Sequence, residues 1–177
     1  MGTPVKWRFA GKFLVAFTLL LVLWSWIEVA QFYRSAVLRV AQLVSPMVNG
    51  WWLEFDEPNL VSEVVFRLGK RQLAMLVQLP ALSMGLVPLL SLIVATPGLR
   101  LRQTALRSVL GVVLYFLVDV AVVLAYPLIM DRPNMLKDTM GVFTGLLGFV
   151  VAPLGLWFVL TYSVLRPLWH LTPKAPP

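Results

Sequence analysis

Cysteine is absent from the 177 residues, and histidine occurs once, at His170. Without cysteine there are no disulfides, thiolate metal sites or thiol nucleophiles, and cysteine usage gives no clue to the redox compartment. One histidine cannot build a metal cluster alone. No glycine-rich phosphate loop, nucleophile elbow or zinc motif occurs either. Charge is also scarce, at 13% of residues against about 25% in an ordinary soluble domain. Acidic residues are the scarcest charged class, with eight Asp and Glu in all.

Apolar residues fill the gap. They make up 59% of the chain, far more than a soluble domain of this length could cover. They gather in four runs, Phe13–Ala30, Pro80–Thr96, Ser108–Met130 and Gly141–Tyr162. The pieces outside them divide by charge. The N-terminal tail carries Lys6, Arg8 and Lys12, the loop after the second run Arg100, Arg102 and Arg107, and the C-terminal tail Arg166 and Lys174, with no acid in any of the three. Basic bias in short flanks of apolar segments sets membrane orientation, basic side inward. The expected fold is therefore one integral membrane domain, 1–177, mainly α: a bundle of four transmembrane helices with both termini cytoplasmic. The outer segment 31–79 and the 131–140 loop are nearly neutral, so topology also accounts for the net charge of +7. The basic residues are scattered over span ends rather than gathered on one face, which argues against nucleic-acid binding.

The first run follows a basic tail, as a signal peptide does, but Glu28-Val29-Ala30-Gln31 is a poor cleavage site, so retention as an anchor is expected. Lys6 stands where a myristoylation motif wants Ser or Thr. In the outer segment Val37, Val40, Ala41 and Val44 recur at helical spacing, with Gln31, Arg34, Ser35, Arg39 and Gln42 opposite. This pattern predicts an amphipathic helix, either prolonging the first span or lying on the bilayer. Asn49-Gly50 marks a turn. Around Gly69-Lys70, Val64, Phe66 and Leu68 alternate with Glu63, Val65 and Arg67, and Leu73, Met75, Val77 and Leu79 continue the alternation. That predicts a type II′ hairpin, with Trp51–Phe55 as a third strand. A sheet so small needs support from a helix, the bilayer or another protein. The tail 171–177 reads as disordered.

Few residues invite chemistry. Asp119 stands near the centre of the third run, where a carboxylate must face the bundle interior and find a partner. Tyr115, four residues earlier on the same face, is the expected donor. Asp119 would then serve as a structural carboxyl, a proton relay or a contact to another protein. Glu28 is expected to reach headgroup water or pair with Arg34. Glu54, Asp56 and Glu57 read as exposed turn chemistry, since no further ligands stand at useful spacing. Arg100, Arg102 and Arg107 set topology and are candidates for lipid phosphate. Gly141, Gly145 and Gly148 are spaced for close helix packing. His170 beside Trp169 reads as interfacial.

The segments Gly85-Leu86-Val87-Pro88-Leu89-Leu90, Ala95-Thr96-Pro97 and Arg107-Ser108-Val109-Leu110-Gly111 give the chain a resemblance to small bacterial exosortase-associated membrane proteins, particularly those that accompany the H-type exosortase. The order of parts is similar too: a basic start, a Trp-rich first span, a short outer β-segment and three further spans. The resemblance implies an accessory subunit of an inner-membrane sorting system, and it implies no catalytic residues. The exosortase itself resembles a Cys-dependent transpeptidase, which a chain without cysteine cannot be. The expectation is thus a non-enzymatic accessory subunit that binds a larger membrane partner and the bilayer, with no cofactor or metal. The alternative is a small transporter or channel subunit using Asp119.

Overall fold

The computed structural model describes residues 3–26, 29–55, 61–78, 85–130 and 147–168. Its elements follow the order α1 (Thr3–Trp26), α2 (Val29–Val48), β1 (Trp52–Phe55), β2 (Val61–Leu68), β3 (Arg71–Gln78), α3 (Leu86–Ala95) and α4 (Leu101–Met130). A π-helical turn at Leu147–Val151 then leads into α5 (Ala152–Leu168).

The chain is mainly helical with one three-stranded sheet, and two helices are long and apolar enough to cross a membrane: Trp7–Ser25 within α1 and Leu101–Ile129 within α4. The second and fourth runs form shorter apolar helices, Leu86–Ala95 and Ala152–Arg166. Four full-length spans were expected, and this differs. Proline stands in both short helices. In α3, Pro88 sits in the first turn, where its missing N–H is tolerated. Thr96, ahead of Pro97, is extended at φ −61 and ψ 119 and ends the helix. Ten residues reach about 15 Å, half of a hydrocarbon core. In the fourth run α5 begins directly after the π turn, with Pro153 as its second residue. Expectations for Glu28, Asp56, Glu57, the 131–140 loop, Gly141, Gly145, His170 and the tail fall outside the described residues.

α2 is the amphipathic helix the spacing predicts. Val37, Leu38 and Ala41 are buried, and Val40 and Val44 pack against the same core. Arg34 is the exception. The spacing assigns it to the polar side, yet it is 1% exposed. Its position, four residues after Ala30 and seven before Ala41, puts it on the buried face.

The sheet is an antiparallel meander in the order β1-β2-β3. β2 and β3 pair from Val61↔Gln78 to Leu68↔Arg71, closed by Gly69 at φ 60, as the first position of a primed hairpin turn requires. Alternation holds at Val64 and Phe66, both fully buried, and stops at Leu68, which is exposed. The sheet leans on the helices. Phe66 stacks on Tyr126 of α4 with ring centroids 5.7 Å apart, and the Tyr126 hydroxyl donates to the Ala74 carbonyl. Gln42 of α2 donates to the Leu53 carbonyl of β1 at 3.0 Å.

α1 packs on α3, while α3, α4 and α5 pack on one another and α2 crosses α4. At one end of this bundle Phe9 meets Trp157, Trp157 Nε1 donates to Thr96 Oγ1, and Arg107 donates to Ser163. Residues from all three acid-free basic pieces, including Arg8, Arg100 and Arg166, flank these contacts. The sheet lies toward the opposite end of α4, at Tyr126.

Candidate functional site

Asp119 comes to lie in the candidate site because α4 is apolar on nearly every side and leaves its carboxylate no route to water. It is 4% exposed. Tyr33, from the first turns of α2, donates its hydroxyl to Asp119 Oδ2 at 2.8 Å. Rings enclose that bond. Trp24 of α1 meets Tyr33 edge-on at 6.2 Å, and Phe116 of α4 does so at 5.8 Å and 85°. Burial, and after it the neighbouring Asp119 carboxylate, raise the Tyr33 pKa above its ordinary value, so the phenol stays protonated and donates.

Tyr115, the expected donor to Asp119, is bound elsewhere. Its hydroxyl donates to the Gly148 carbonyl at 3.0 Å. The reason lies in the backbone. In a π turn a carbonyl accepts from the N–H five residues on, and five after Gly148 stands Pro153, which has none. The Tyr115 hydroxyl supplies the missing donor. Its ring passes so close to Gly85 that an added Cβ there would overlap the phenol oxygen. Gly85 is therefore a packing glycine, and so is Gly111, where a Cβ would meet Ile93 Cδ1 at 3.1 Å. At Gly148, by contrast, a Cβ would meet nothing within 4 Å. The expected packing role is not what keeps that glycine within this chain.

A second polar junction sits nearer the sheet. Asn49 Oδ1 accepts from Ser45 Oγ and from the Trp51 backbone N–H, and its Nδ2 donates to the Leu124 carbonyl at 2.9 Å. The sequence marks Asn49-Gly50 as a turn and carries no signal for this reach across to α4.

These contacts fasten α2 and the sheet to α4. They offer one carboxylate with a phenol donor. Among the described residues, no three His, Cys, Asp or Glu are grouped to hold a metal. Glu54 pairs with Arg67 at 3.1 Å, with both side chains about half exposed, and an exposed pair of this kind contributes about 0.2–1 kcal/mol. Arg100 and Arg102 are exposed and Arg107 is partly buried. A cleft between α2 and β1 is lined by Arg39, Gln42, Leu43 and Phe55. Comparison with protein-family models, curated proteins and solved structures finds no match.

Proposed function

We propose that the chain is a non-enzymatic accessory subunit of a bacterial inner membrane. It crosses four times with both termini in the cytoplasm and uses α2 with its sheet, on the outer side, to hold a larger membrane protein. One observation carries this reading. On α2 the exposed residues Phe32, Arg39, Leu43 and Met47 follow one another at intervals of seven, four and four, which is a single stripe. Trp52 of β1 is exposed as well, and the cleft at Arg39 and Gln42 runs between helix and strand. An apolar patch with polar groups beside it is a characteristic of interaction sites. The tight fastening of α2 to α4 supports a rigid platform rather than a moving part. The resemblance to exosortase-associated proteins supplies the partner class, a polytopic sorting transpeptidase.

The test is photo-crosslinking in native membranes from a reactive residue placed at Leu43 or Met47. The expected product is one adduct with a larger polytopic protein of exosortase type. Adducts with lipid only, together with a monodisperse single chain in mild detergent, would contradict the proposal. The alternative, a transporter or channel subunit, draws on Asp119 lying within an apolar helix. It requires Asp119→Asn to abolish flux while assembly stays intact.

A further inference from the structure

At the basic end of the bundle the Arg107 Nη2 donates to Ser163 Oγ at 3.1 Å. Its Nη1 is closed off from water and has no hydrogen-bond partner among the described residues. Nη1 itself is enclosed, so an anion that neutralises this guanidinium has to reach it at its exposed edge, beside Ser163. The chain has none to offer there. No Asp or Glu occurs in residues 1–27, 64–118 or 139–177, which include every described residue of α1, α3 and α5 and the first half of α4.

More positive charge lies alongside. Arg100, just ahead of α4, and Thr104 stand seven and three residues before Arg107, on its face of the helix. The Thr104 hydroxyl donates to the Arg100 carbonyl at 3.2 Å. Arg166 follows Ser163 by three residues on α5, so it lies on the Ser163 side of that helix. Guanidinium groups and a hydroxyl converging at the boundary of an apolar bundle match a phosphate in charge and in donor geometry. A bilayer presents phosphate at that depth.

We propose that Arg107 and Ser163, with Arg100, Thr104 and Arg166 around them, form a binding site for the phosphate of one anionic phospholipid. Arg107 is its central ligand. Arg102, two residues from Arg100 and five from Arg107, lies off this face and takes no part. The site depends on the chain residing in a bilayer and not on the identity of any protein partner.

Native mass spectrometry of the full chain released from nanodiscs tests this, with phosphatidylglycerol and phosphatidylcholine as the two probes. One retained phosphatidylglycerol is expected, with little phosphatidylcholine. Arg107→Gln should lower that retention about tenfold, and Arg102→Gln should leave it unchanged. Equal retention of both lipids by the wild-type chain would overturn the proposal. So would equal losses in the two variants, which would mean diffuse charge attraction. If Arg107→Gln does not fold, the wild-type lipid preference decides alone. Millimolar inorganic phosphate is the remaining arm. Failure to displace the lipid supports a lipid site, and full displacement would assign the site to free phosphate and overturn the lipid proposal.

Discussion

A carboxylate enclosed by apolar side chains keeps its place only while something donates to it, and for Asp119 the donor is the Tyr33 hydroxyl at 2.8 Å. Removing that donor leaves a desolvated acceptor without its bond. Tyr33→Phe should therefore lower stability by about 1.5–3 kcal/mol, the range for hydrogen bonds to charged groups. Asp119→Asn keeps an acceptor for the same phenol and should cost about 0.5–1.5 kcal/mol. Unfolding in detergent, with both single variants and the double variant, measures the coupling, which should be about 1 kcal/mol or more. Additive effects would mean that the bond contributes little. An acid within an apolar run must find a partner, and Asp119 has one. Helical spacing names Tyr115, four residues away. The true partner is 86 residues distant in sequence, which no helical periodicity can reveal. Arg34 was misplaced for a different reason. Its position is on the buried face, and its charge argued for the other.

Among the elements, the π turn before α5 has the plainest chemical cause. Pro153 cannot donate to the Gly148 carbonyl, and Tyr115 does so from α4. Tyr115→Phe should cost about 1–3 kcal/mol by stranding that carbonyl. In the Pro153→Ala background a backbone N–H is restored, and the same change should be nearly neutral. Thermal unfolding of the three variants checks this. An undiminished loss in the Pro153→Ala chain would mean that the hydroxyl matters through its packing over Gly85 instead. α2 and the sheet were the most legible part of the fold. A period of four and three survives in α2, a period of two survives in β2 at Val64 and Phe66, and so does the glycine turn between the strands. The short helices were less so, since an apolar run has no period with which to mark its own breaks, and Pro97 decides where α3 ends. Gly141 and Gly145 drew attention by spacing. Gly85 and Gly111 are held by what they face, Tyr115 and Ile93, which only the packed structure reveals.

At the scale of the whole molecule, charge and packing coincide. The acid-free basic pieces meet at one end of the bundle, where Phe9, Thr96, Trp157, Arg107 and Ser163 make their contacts. The sheet sits toward the other end of α4, against Tyr126. Basic flanks stay in the cytoplasm, which predicts that the bilayer separates these two ends. Because the chain has no cysteine, single cysteines report on each side without background. Lys70→Cys, in the hairpin turn, and Arg102→Cys, in the first turn of α4, are both at exposed positions. Labelling with a membrane-impermeant maleimide on intact spheroplasts is the most direct measurement. Lys70→Cys should react fully, and Arg102→Cys should react only after the membrane is permeabilised. Equal reaction of both before permeabilisation, or the reverse order, would contradict the account.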